Sequence, residues 1–206
     1  MIPRIPGGIA VAKRLRPLRA RRSIRLTAGL LGAGLLGATA ALASPTATHL
    51  ARAAIPACLP SGDGFLRARI GGSIDATLRW PNRGTWCAGE PKLDPRGVRM
   101  SFRRASGARP RLLFLFGLTG VREGAPLREG RANLTVIDES DGRVFGTLGD
   151  RRCTIDSLTQ RRLAAAHTYR VEVHGFCTEP ARAIHGPGEI LVSRFDFAGP
   201  VNYAAR

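Results

Sequence analysis

The sequence predicts an all-β protein: a single antiparallel β-sandwich or barrel-like domain of about nine short strands, preceded by a helical apolar export segment. Three observations predict it. Strict two-residue alternation runs from Leu66 to Trp80. Short apolar segments recur between Gly- and Pro-containing turns through the rest of the chain. A charge-free run from Leu26 to Ala43 follows a purely basic N-terminus. Period two marks strands with one buried face, and many such strands between turns mark a sandwich or barrel.

The N-terminal element comes first. A secretory signal has a basic start, an apolar middle and a small-residue cleavage site. Residues 1–43 carry eight of the 32 basic residues and no acidic one. The apolar run LTAGLLGAGLLGATAALA ends in Ala41-Leu42-Ala43, so cleavage is expected after Ala43. Arg21-Arg22-Ser23-Ile24 offers a partial twin-arginine pattern, with Arg25 where an apolar residue belongs. The run is near the lower length limit for crossing a bilayer, so the alternative is an uncleaved anchor with its basic side inside. Its many Gly and Ala residues favour cleavage. Residues 44–57, rich in Ala, Pro and Thr, read as a spacer, and residues 58–206 as the β domain.

Beyond the leader the chain holds 24 basic and 15 acidic residues, a net charge of +9. That balance suits an anionic envelope component such as lipopolysaccharide, anionic lipid or acidic polysaccharide. Arginine supplies nearly all of it, since Lys13 and Lys92 are the only lysines. A GC-rich coding sequence produces the same skew without selection for binding. Specific nucleic-acid binding is therefore not expected, and a protein partner fits as well. Membrane contact is expected only through the N-terminal segment, if that is retained.

The first strand pair is Leu66 to Trp80. Even positions are apolar or glycine, and odd positions carry Arg67, Arg69, Ser73, Asp75, Thr77 and Arg79. A three-residue loop at Gly71-Gly72-Ser73 would set Ile70 opposite Ile74 and Arg69 opposite Asp75, keeping one face apolar. It would also bring Cys58 and Cys87 together at the open end. Further strands are expected at Gly97–Arg103, Arg111–Leu118, Ala132–Asp138, Arg143–Leu148 and Glu189–Phe197. Arg111–Leu118 is apolar on both faces, as a central strand would be, and Asp141-Gly142 is a hairpin turn. Thr168–Phe176 alternates cleanly, with Cys153–Gln160 as its partner strand. The competing reading of that partner is a short helix over Ser157–Ala166, favoured by Arg-Arg-Leu-Ala-Ala-Ala. The strand reading pairs Cys153 with Cys177. Four cysteines after an export segment, with no CxxC, then form the disulfides Cys58–Cys87 and Cys153–Cys177.

Chemistry-bearing motifs are sparse. The chain has no GxSxG, HExxH, P-loop or dinucleotide-binding glycine pattern. His49, His167, His174 and His185 share no metal-like spacing, and Asp138, Glu139 and Asp141 cluster at a hairpin tip that turn formation explains. No metal, cofactor or catalytic residue is expected. Asn133-Leu134-Thr135 fits a glycosylation acceptor, but inside a strand. The most site-like segment is Arg79-Trp80-Pro81-Asn82-Arg83-Gly84-Thr85-Trp86. Arg79, Trp80, Arg83 and Trp86 place aromatic faces beside guanidinium groups, a combination that stacks on sugars and pairs with acidic groups. Competing with this, Trp80 completes the buried even face and Trp86 covers the neighbouring disulfide. The expected protein is an exported, non-catalytic periplasmic or secreted β-domain that binds an envelope component or protein partner. The alternatives are an exported hydrolase whose site converges only in the fold, and a membrane-anchored periplasmic structural domain.

Overall fold

The computed structural model describes residues 55–93, 97–105, 109–149 and 151–205. The expected export segment and nearly all of the spacer lie outside them. Among the described residues the chain is all-β, and no helix is long and apolar enough to cross a membrane. Eleven strands form one antiparallel hydrogen-bonded sheet. They are β1 (Phe65–Gly72), β2 (Ala76–Pro81), β3 (Thr85–Pro91), β4 (Gly97–Arg104), β5 (Leu112–Thr119), β6 (Gly130–Asp138), β7 (Arg143–Gly146), β8 (Cys153–Arg162), β9 (Thr168–Cys177), β10 (Ala181–Ala183) and β11 (Glu189–Asn202).

The main path runs β2-β1-β11-β10-β7-β6-β5-β4-β3. A second route leaves β11 through β9 and β8 and rejoins at β6. The hydrogen bonds therefore close a circuit through β11, β9, β8, β6, β7 and β10. The sheet folds over, and its inner faces meet in an aromatic core. Phe102 of β4 and Phe116 of β5 touch Phe197 of β11 at centroid distances of 5.0 and 4.4 Å, and Trp80 of β2 meets Phe114 of β5 edge-on at 5.5 Å. Six of the eight phenylalanines are fully buried. Each contributes about 1.5–3 kcal/mol by leaving water, and aromatic pairing adds about 0.5–1.5 kcal/mol per contact.

The 14-residue β11 is the spine of this arrangement. Its pairing with β1 passes from Arg69↔Arg194 to Ile70↔Val192, which leaves Ser193 as an extra residue. This β-bulge switches the inward parity from Ile190 and Val192 to Phe195 and Phe197, and turns Ser193 and Arg194 both outward. At the far end β3 crosses so close to β11 that a Cβ on Gly89 would strike the Pro200 carbonyl oxygen.

The first hairpin differs from expectation. Ile70 faces Ala76, Ala68 faces Leu78 and Leu66 faces Trp80, a register two residues away from the expected one. The even face stays buried because a two-residue slip preserves parity. The cause lies in β11. Gly71 and Gly72 do not turn but continue β1 against Leu191 and Ile190. Gly72, at φ 105°, has no room for a Cβ beside the Glu189 carbonyl, to which Ser73 N donates at 2.9 Å. Arg69 consequently meets Thr77, donating to its Oγ1 at 3.1 Å, and not Asp75.

The remaining expectations sort by how much of each strand is paired. Ser157–Ala166 is not a helix: β8 stays extended to Arg162, held along its length by β9. Tertiary pairing overrides the local helix propensity there. The strand Leu112–Thr119 lies between β4 and β6, as its two apolar faces imply. Two strands exceed the expected nine, β3 and β10.

Both disulfides join the expected partners. Cys153 and Cys177 are direct cross-strand neighbours, Cα–Cα 3.9 Å, and Cys58–Cys87 spans 5.0 Å. Such bonds persist in an oxidising compartment, which suggests an exported environment. The hairpin register does not bring Cys58 to Cys87; Asn82 does. Cys58 N donates to its carbonyl at 3.1 Å, Leu59 N and Gly64 N donate to its Oδ1 at 2.8 and 3.1 Å, and its Nδ2 donates to Leu59 O at 3.0 Å.

Candidate functional site

The tryptophan turn, Pro81 to Thr85, sends its two aromatic residues to opposite destinations. Trp80, the penultimate residue of β2, points inward and is buried against Phe114. Trp86, the second residue of β3, points outward and is 49% exposed. The turn between them is tightly fixed. Gly84 N donates to Pro56 O at 2.7 Å, Thr85 Oγ1 donates to Pro81 O at 2.7 Å, and Arg104 Nη1 donates to Arg83 O at 3.1 Å. Gly84 takes φ 79°, which a side-chain-bearing residue adopts only under strain.

Register explains what surrounds Trp86. It lies opposite Arg103 on β4, which lies opposite Leu113 on β5. Neighbouring strands are about 4.8 Å apart, so these three side chains form one continuous outward row. Arg104 and Arg111 flank it, and Glu139 reaches across from the turn after β6. Together with Pro56 they line an open groove of about 550 Å³. Arg103 Nε lies 3.0 Å from the Glu139 carboxylate, and Arg111 Nη2 donates to Glu139 O at 3.0 Å. The groove is thus lined by three guanidinium groups and one carboxylate, which Arg103 already engages. The groove offers a flat aromatic face, fixed hydrogen-bond donors and surplus positive charge. That combination stacks against a sugar ring while binding a carboxylate or phosphate substituent.

The four residues singled out from the sequence are not brought together. Trp86 lies in the groove, whereas Arg83 does not line it and only accepts a hydrogen bond from Arg104 through its carbonyl. Trp80 is part of the core. Arg79 projects from β2 into a separate depression with Arg67, Arg69 and Arg194. No family model matches this chain, and no curated protein or solved structure matches it either. The geometry therefore carries the functional reading.

Sequence reasoning did not name Arg103, Arg104, Arg111 or Glu139 as site residues. They come from three segments up to 36 positions apart, and only the pairing of β3 to β4 and of β5 to β6 assembles them. The usable signal was modest: Arg103 sits at an outward position of an alternating strand, and Glu139 at a recognised hairpin tip.

Among the described residues, no group of three or more His, Cys, Asp and Glu side chains could hold a metal ion. One hydroxyl–imidazole–carboxylate row exists on the outer face: Ser157 of β8 lies opposite His174 of β9, which lies opposite Asp196 of β11. His174 Nδ1 is 2.9 Å from Asp196 Oδ1, and its Nε2 is 3.5 Å from Glu172 Oε1. Both ring nitrogens thus face carboxylates, and neither is left to take the Ser157 proton as a nucleophile–base pair requires. At the hairpin tip, the Arg143 backbone N–H holds the exposed Asp141 carboxyl below its usual range, as expected for a turn residue.

Proposed function

We propose that this chain is an exported, non-catalytic β-domain protein that binds an acidic glycan of the cell envelope in the Trp86 groove. The observation that carries this reading is the half-exposed Trp86 set in register beside Arg103, with Arg104 and Arg111 around it. A protein that folds its other tryptophan into the core leaves this one in contact with water, at a cost that ligand stacking would offset. The folded-over sheet reads as a barrel-like sandwich whose rigid strands hold these side chains at fixed spacing, which lowers the entropy lost on binding. Export, with cleavage after Ala43, is supported by the basic-apolar leader and by the two disulfides.

The hydrolase alternative rests on the Ser157–His174–Asp196 row, whose imidazole is turned to Glu172. The anchored alternative rests on retention of residues 1–43.

The test is calorimetric titration with acidic and neutral oligosaccharides of matched length. Uronic-acid or phosphate-bearing oligosaccharides are expected to bind at least about ten-fold more tightly than neutral ones, the factor one charge-assisted hydrogen bond supplies. Equal affinity for both, or none for either, would contradict the proposal.

A further inference from the structure

We propose that the outer face of β2, β1 and β11 docks flat onto the anionic headgroup layer of a lipid bilayer through Arg67, Arg69, Arg79 and Arg194. The sequence assigned membrane contact only to the N-terminal segment, so this is a second and independent surface.

The register puts the four arginines on one outward face. Arg67 lies directly opposite Arg79, and Arg69 directly opposite Arg194. Like charges in directly opposed positions destabilise a sheet, yet this face carries two such pairs side by side. The ion pairs of this face and the adjoining β9 among the described residues are Arg194–Asp196, His174–Asp196, His174–Glu172, Arg170–Glu172 and Arg170–Asp63, and none engages Arg67, Arg69 or Arg79. Asp196, which lies opposite Arg67 on β11, is committed to Arg194 at 3.3 Å and to His174 at 2.9 Å and makes no ion pair with Arg67. The β-bulge at Ser193 completes the set, because uninterrupted alternation from Val192 would turn Arg194 inward.

The shape of the set selects the occupant. The pairs are lateral neighbours about 4.8 Å apart across strands, stacked about 6.7 Å apart along β1. This is a two-dimensional array over a shallow depression of about 240 Å³. A planar layer of phosphates meets all four at once, each guanidinium fork taking phosphate oxygens. A glycan would find no free aromatic plane here: Trp86 lines the separate groove, and Arg67 already lies over the Phe65 ring at 4.9 Å.

The experiment uses the full chain with vesicles of phosphatidylglycerol mixed with phosphatidylcholine, and with pure phosphatidylcholine. Arginine modification by phenylglyoxal is mapped by mass spectrometry, which reports the docked face whether or not the N-terminal segment also binds. The mixed vesicles are expected to protect Arg67, Arg69, Arg79 and Arg194 but not the exposed Arg99 and Arg128. In Arg67→Gln/Arg79→Gln, protection of Arg69 and Arg194 should fall about thirty-fold, roughly five-fold per arginine lost. The charge-matched control Arg99→Gln/Arg128→Gln should keep it, and so should Trp86→Ala, which separates this surface from the groove. An unchanged thermal midpoint in the double variant confirms that it folds. Equal protection by pure phosphatidylcholine, protection spread evenly over Arg99 and Arg128, or protection by a soluble acidic polysaccharide without protection by vesicles would each overturn the proposal.

Discussion

Trp80 and Trp86 stand six residues apart on the two arms of one turn, yet they belong to different regions of the molecule. The Trp80 side is core: the ring is buried edge-on against Phe114, in a cluster that joins β2, β4, β5 and β11. The Trp86 side is surface, with the ring half exposed beside Arg103. The same residue type thus supports the fold on one side and is free to bind on the other. Composition cannot separate these roles. Parity within a strand, together with the turn that joins the strands, does.

The contrast is sharpest in stability. Trp80→Ala should cost about 3–5 kcal/mol, the range for removing a large aromatic side chain from a packed core. Trp86→Ala should cost less than about 1 kcal/mol, as for surface residues away from buried networks. Urea unfolding of both variants measures the difference, and comparable losses would erase the distinction between the two regions.

The disulfides extend the comparison. Their sequence separations of 29 and 24 residues imply about 3–4 kcal/mol each in the chain-entropy model. Cys153–Cys177 links strands that are already paired, whereas Cys58–Cys87 ties down a segment outside the sheet that brings Pro56 to the groove. Replacing either pair by serine should therefore lower stability similarly in chemical denaturation, but only the Cys58/Cys87 pair should also weaken ligand binding. Asn82→Ala acts on the same segment. It removes three side-chain hydrogen bonds to Leu59 and Gly64 and should cost about 2–3 kcal/mol, with the Cys58–Cys87 bond still formed in non-reducing peptide maps.

The last expected effect lies outside the groove and is confined to alkaline pH. Tyr203 is pushed up to about 12 from an ordinary value of 10.0, chiefly by burial, against the opposing effect of its 2.8 Å hydrogen bond to Gln160. The folded state holds this proton more tightly than the unfolded one. Its stabilisation is complete below pH 10 and is lost as pH rises towards 12. Tyr203→Phe should flatten that alkaline decline, measured by thermal unfolding across the window, and should leave groove binding unchanged.

Much of the fold was legible because its strongest signals are local. Period two between Leu66 and Trp80 gave the first hairpin and its buried face, and the apolar character of both faces of Arg111–Leu118 gave a central strand. The Cys153–Cys177 pairing followed from strand spacing, whereas Cys58–Cys87 was expected from a hairpin register that the molecule does not adopt. What was not legible depends on partners distant in sequence. The hairpin register slipped by two because β11 captures Gly71 and Gly72, which read locally as a turn. The strand Thr85–Pro91 was missed because TWCAGEP has no clean alternation, and it takes its form from pairing with β4. The groove shared this fate: Trp86 could be named, but its neighbours Arg103, Arg111 and Glu139 are neighbours only after β3, β4, β5 and β6 have aligned.

The most direct test of the binding role measures affinity and stability together in one variant. Trp86→Ala and the parent chain are titrated with an acidic oligosaccharide, and their thermal midpoints are recorded in the same buffer. Removing one stacked ring should weaken binding by about ten-fold or more, with the midpoint nearly unchanged. A clear loss of thermal stability with unaltered affinity would contradict the account and return Trp86 to the structural framework that already holds Trp80.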